Sequence, residues 1–184
     1  MIWSYELPEH KDIKSELISL IDKTRGESIN NKSDNIIKTD YYINTGMDRS
    51  HFEYFNILHK FISECGFYEK LLEVYYVDGF GVSQVWYQQY NTGDTHGWHI
   101  HPKTNISAVY CLELEDSNDS TEFMNYDKGG IFKTKSKEGD IIVFPSYIMH
   151  RAPVVKSSTR KTTINFNIDL GAANPRLIKN FFKL

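Results

Sequence analysis

The spacing of apolar residues changes period along this chain. In the first third it is helical: Ile13, Leu17, Leu20 and Ile21 recur at three- and four-residue intervals among polar residues, predicting a helix that begins near Pro8 after an extended piece, Met1 to Leu7. Phe52, Phe55, Leu58, Phe61 and Ile62 form a second stripe, with Ser50 as its predicted cap and Gly66 near its end; His51 and His59 read as helix-face histidines. Between them, 30–35 is polar and predicts a loop, and Ile36 to Ile43 is rich in β-formers and predicts a strand. Phe67 to Val77 reads as a helix turning into a strand.

From Gly81 the period shortens to two. Val82 to Tyr90, Ser107 to Leu114, Thr121 to Asn125, Gly130 to Thr134, Ile141 to Phe144 and Arg151 to Val155 predict short strands, with another beginning at His99. Arg160 to Ile168 alternates most clearly, with Arg160, Thr162, Ile164, Phe166 and Ile168 on one face and Lys161, Thr163, Asn165 and Asn167 on the other. About eight short strands preceded by helices predict a mainly β (α+β) jelly roll. After Asn174-Pro175 a short C-terminal helix is expected. The predicted organisation is one domain, 1–184: a helical support region over 1–80, a β core over 81–170 and a tail helix over 171–184.

The candidate chemistry lies in Gly97-Trp98-His99-Ile100-His101-Pro102. On an extended strand His99 and His101 share a face, and neutral imidazole is a ligand for iron, zinc and copper. His150, just past the apolar run Ile141 to Pro145, offers a third imidazole. Trp86 and Trp98 read as packing residues, and Tyr90 as packing or a pocket wall.

Composition narrows the classes. A net charge of -3 with no basic run argues against a nucleic-acid partner, and 14% aromatic residues suit a β-rich domain with a half-polar cavity. Cys65 and Cys111, far apart, are expected to be buried reduced thiols. A charged N-terminus and the lack of any long apolar run predict a soluble cytoplasmic protein, in a host's cytoplasm if phage-encoded, with no membrane partner.

The order Tyr90-Asn91-x-Gly93, Gly97-Trp98-His99-x-His101, Gly139-Asp140-Ile-Ile-Val-Phe144-Pro145, His150 and Arg160-x-Thr162 resembles the iron(II)- and 2-oxoglutarate-dependent oxygenases. It is most similar to the prolyl-4-hydroxylase-like branch and to small oxygenases of bacteria and phage, over roughly 82–170. The resemblance implies a double-stranded β-helix holding Fe(II) in its mouth, with 2-oxoglutarate and O2 consumed, succinate and CO2 released, and a small-molecule or peptide substrate hydroxylated. It implies His99 and His150 as iron ligands, Arg160 as the pair for the far carboxylate of 2-oxoglutarate, Thr162 as its hydroxyl partner and Tyr90 as a further cosubstrate contact. An arginine fork suits a carboxylate. His101 stands where the family usually has Asp or Glu. Three imidazoles resemble the sites of cupin-type dioxygenases that need no 2-oxoglutarate; a non-catalytic metal-binding jelly roll is the other alternative. His96 and Asp94 are the reserve candidates for the third ligand.

Overall fold

The computed structural model describes residues 1–43 and 52–182. The Ser50 cap and His51 lie outside the described residues. Helix α1 (His10–Lys23) buries Ile13, Leu17 and Ile21 along one stripe, and α2 (Glu53–Glu64) buries Tyr54, Phe55, Leu58 and Ile62. Gly66, at φ 87°, adopts the left-handed conformation that turns α2 into α3 (Phe67–Tyr75). These helices pack on the outer face of a sheet. Their core partners are the alternate residues Ala108, Tyr110 and Leu112, then Ile141 and Val143, then Ile164, Phe166 and Ile168.

The strands are β1 (Trp3–Glu6), β2 (Glu27–Asn30), β3 (Asp34–Thr39), β4 (Phe80–Tyr90), β5 (Thr95–His99), β6 (Ile106–Glu113), β7 (Glu122–Met124), β8 (Ile131–Lys133), β9 (Asp140–Pro145), β10 (His150–Ala152) and β11 (Lys161–Leu170). They run in the order β1-β9-β6-β11-β4-β3-β5-β10-β7-β8, with β2 paired to β3. All the pairings are antiparallel, and the sheet curls over itself as a jelly roll. A smaller apolar cluster, including Val109, Cys111, Phe123, Ile142 and Phe144, fills one end of the interior. Helix α4 (Pro175–Phe182) follows Asn174. Cys65 and Cys111 are free thiols, Cys111 buried and Cys65 half-buried. Among the described residues no helix is long and apolar enough to cross a membrane.

Several boundaries differ from expectation. The region 1–80 is not only helical: it supplies β1, β2 and β3 to the sheet. The predicted loop at 30–35 is the tight end of a β2–β3 hairpin, closed where the Asn31 side chain accepts from the backbone N–H groups of Ser33 and Asp34. Val77 makes only an isolated bridge to Ala173, and β4 begins at Phe80. β5 ends at His99 instead of beginning there, so His101 lies beyond the strand.

Candidate metal and cosubstrate site

His99 closes β5 and His150 opens β10, and the two are direct partners in the antiparallel ladder. His101 reaches the same place from the following turn, its backbone N–H donating to Ser146 O at 2.9 Å. Ring centroids lie 4.3 Å apart for His99 and His150, 4.9 Å for His101 and His150, and 5.2 Å for His99 and His101. One nitrogen from each lies within 4.8 Å of the others. Gly97 lets β5 approach the hairpin end: a Cβ there would meet Ser33 Cβ at 3.0 Å and Ser33 O at 3.1 Å.

Each ring is tethered through its Nδ1. His99 Nδ1 donates to Gly97 O at 2.8 Å, His150 Nδ1 to Ile148 O at 2.9 Å and His101 Nδ1 to Asn167 Oδ1 at 2.8 Å. Donation from Nδ1 leaves Nε2 with its lone pair, the form a metal takes. Burial keeps the rings neutral, pushing His101 down to about 4 and His150 to about 2 and lowering His99 as well. Three oriented, neutral imidazoles fit a divalent first-row metal, and their donor set carries no negative charge.

The reserve candidates have other occupations. Asp94 is buried and accepts from Asn91 N at 2.7 Å and from Asn35 Nδ2 at 2.6 Å, which holds the β4–β5 turn. His96 stacks on His99 with centroids 4.0 Å apart, and its Nδ1 accepts from Gln88 Nε2 at 3.2 Å. Asp34, not singled out in the sequence, accepts from Gly97 N–H at 3.0 Å and lies 3.7 Å from His96 Nε2.

A narrow pocket of about 30 Å³ runs inward from the histidines, and Tyr90, Lys161, Thr163 and Asn165 line it. Arg160 and Thr162 do not. Arg160 donates through Nε to Glu113 Oε2 at 2.9 Å and through Nη1 to Asp22 Oδ1 at 2.9 Å, and Thr162 donates to Glu113 as well. Both point to the outer side of the sheet, where the helices lie. Neighbouring residues on a strand face opposite sides, so it is Lys161, next to Arg160, that enters the pocket. Lys161 is only 3% exposed; its Nζ donates to Asp119 O at 2.6 Å and sits 5.2 Å above the Tyr90 ring. Burial lowers its pKa to about 8. An ammonium has three N–H donors, and among the described residues this one has a single hydrogen-bond acceptor, Asp119 O, which suits it to an incoming anion. Tyr90 is a wall of the pocket, as one reading of it required, but its hydroxyl donates to Gln88 Oε1 at 2.9 Å.

The signal for Lys161 was present in the alternation: Lys-Thr-Asn-Asn on one face of a strand is costly to bury unless it lines a polar cavity.

Residues 84–167 match the family model described as "Putative 2OG-Fe(II) oxygenase". Over that stretch, a little under half of its length, the chain is similar to the iron(II)- and 2-oxoglutarate-dependent oxygenases. A PKHD-type hydroxylase of Cupriavidus pinatubonensis is 31% identical over 86 residues, which span 40% of this chain and 38% of that protein. The chain thus matches well under half the length of that curated relative. Among solved structures, a 2OG-Fe(II) oxygenase family oxidoreductase from Burkholderia pseudomallei superposes with a TM-score of 0.70 at 10% identity, covering 95% of this chain and 88% of that one. A Pseudomonas putida prolyl-4-hydroxylase gives a TM-score of 0.58 at 13% identity, with 91% of each chain covered. The jelly roll is the fold of these oxygenases.

Proposed function

We propose that this protein is an iron(II)- and 2-oxoglutarate-dependent oxygenase that hydroxylates a peptide or small-molecule substrate. The observation that carries the reading is the pairing of three Nδ1-tethered histidines with a buried, under-bonded lysine in one pocket. His99, His101 and His150 would hold the metal, which with 2-oxoglutarate and O2 supplies the oxidising chemistry. The protein's own work is positional. Gly97 O, Ile148 O and Asn167 fix the imidazole rings, while Phe144 and Phe123 pack beside His150, with centroids at 4.5 Å and 6.1 Å, and keep water from its far side. Lys161 meets the far carboxylate of 2-oxoglutarate with its charge, and Thr163 and Asn165 line the way to it. Such an anchor has no task in a three-histidine dioxygenase that works without 2-oxoglutarate.

The test is anaerobic reconstitution. Iron(II) with 2-oxoglutarate should give a weak visible charge-transfer band, and aerobic turnover should release succinate. Lys161→Met should shift the band's 2-oxoglutarate dependence to higher concentration. Stoichiometric iron binding without any 2-oxoglutarate response would remove this reading in favour of the dioxygenase.

A further inference from the structure

A second cavity, of about 390 Å³, opens in front of the histidines, walled by Tyr41, Tyr42 and Trp86 on one side and by Gln84, Asn167 and Lys103 among its polar residues. The aromatic rings form a ladder from the surface to the site: Tyr42 to Tyr41 at 4.8 Å, Tyr41 to Trp86 at 5.2 Å and Trp86 to His101 at 5.4 Å between centroids. The amides are largely committed to each other and to the histidine, since Asn167 Nδ2 donates to Gln84 Oε1 at 2.8 Å and its Oδ1 holds His101. Among the described lining residues no carboxylate occurs, and Lys103 is the one permanent charge.

Lys103 is also held in an unusual way. Its φ of 67° is left-handed, a conformation that a side chain with a Cβ rarely adopts. The turn cannot relax because Ser146 ties it on both sides: His101 N–H donates to Ser146 O at 2.9 Å, Ser146 N–H donates to Asn105 O at 3.0 Å, and Ser146 Oγ donates to Thr104 O. Strain of this kind persists where surrounding bonds over-determine it. Its product is an exposed ammonium at the cavity rim with no carboxylate partner among the described residues.

We propose that Lys103 is a specificity-determining residue: the cavity takes a substrate with an anionic group, a carboxylate or a phosphate, that pairs with Lys103 while its apolar part lies on the Tyr41–Trp86 wall. This rests on the reading of the histidine cluster as the reaction centre, but it is tested by binding alone. The protein is loaded under nitrogen with iron(II) and saturating 2-oxoglutarate, so that Lys161 is occupied. It is then titrated in a calorimeter with N-benzoylglycine, N-benzoylglycinamide and phenyl phosphate. At least one anion should bind about tenfold more tightly than the amide, a preference that salt weakens and that tells carboxylate from phosphate. Lys103→Gln should abolish the preference and Lys103→Arg should keep it. Equal binding of acid and amide, binding of none of the three, or an unchanged preference in Lys103→Gln overturns the proposal. The same titrations in Lys161→Met without 2-oxoglutarate keep the Lys103 result readable if the parent protein binds no 2-oxoglutarate, an outcome that would count against the oxygenase reading instead.

Discussion

The two faces of β11 are equally inaccessible and chemically opposite. Ile164, Phe166 and Ile168 are fully buried against the helices, whereas Lys161, Thr163, Asn165 and Asn167, also 5% exposed or less, look into the roll. The outer face supplies cohesion, because the apolar area of Ile164, Phe166 and Ile168 leaves water there. The inner face supplies a solvent substitute: each amide or ammonium there holds another functional group, as Asn167 holds His101 and Asp119 O holds Lys161. One strand thus separates what keeps the protein folded from what lets it bind, and substitutions should fall cleanly on either side of that division.

The largest effect is expected on the outer face. Phe166 is 0% exposed and packs against Phe55 and Phe67 at 6.0 Å and 6.4 Å. Phe166→Ala should cost about 3–5 kcal/mol of stability in denaturant titration. The folded variant should bind iron(II) like the parent; a matching loss of iron affinity would break the division.

Next comes the inner face at Lys161. Lys161→Met should weaken 2-oxoglutarate binding about 100-fold, the scale of one lost charge-assisted bond, and leave stability level or higher because a buried charge is gone. Arg160→Met, one residue away, should leave 2-oxoglutarate binding as it is and cost about 1 kcal/mol through its lost pairing with Glu113. If calorimetry gives the reverse pattern, the assignment of faces is wrong.

A subtler effect concerns pH. The folded-state pKa of Lys161, about 8, lies below its ordinary 10.5, so the folded chain releases this proton before the unfolded chain does. Its contribution to stability therefore rises as pH climbs through that window, while 2-oxoglutarate affinity falls as the anchor loses charge. Cys111, which is buried, and Tyr5 have raised pKa values and pull stability the other way over the same window. The trends should therefore appear as the difference between the parent and Lys161→Met: relative stability of the parent rising and its 2-oxoglutarate advantage falling. Smallest is the tether: Asn167→Ala should lower iron(II) affinity about 10-fold by freeing the His101 ring, with 2-oxoglutarate affinity at saturating metal little changed.

Much of this was legible in the residues. The periodic stripes of α1 and α2, the short β-runs of β6 and β9 and the alternation of β11 mark real elements, and the three histidines do converge. What failed was the sense of inside. Alternation identifies two faces of β11 but not which one looks into the roll; Arg160 and Thr162 came from the resemblance, and they lie on the helix-covered face. In this fold helices cover the outside, so both faces are buried and the polar one encloses the site. Strand β2 was missed because Glu27, Ser28 and Asn30 give little β signal, and it is fixed by pairing with β3, which in turn pairs with β4 and β5. Lys103 had no sequence signal at all, since its role depends on a dihedral angle and on a serine far along the chain.

Strand β3 has a consequence beyond its own length. Its later residues pair with β4, Lys38 opposite Gln89 and Thr39 opposite Gln88, while its first residues pair with β5, Asp34 opposite His96 and Asn35 opposite Thr95. The two halves of the roll are therefore sewn together along a single short seam, contributed by a segment outside the 84–167 stretch that carries the family likeness. Cutting the chain before Phe80 would do more than strip away supporting helices. It would unpick the strand pairing that keeps the histidine-bearing half facing the lysine-bearing half, leaving the apolar packing of Phe123 and Phe144 between them to hold the two surfaces at working distance.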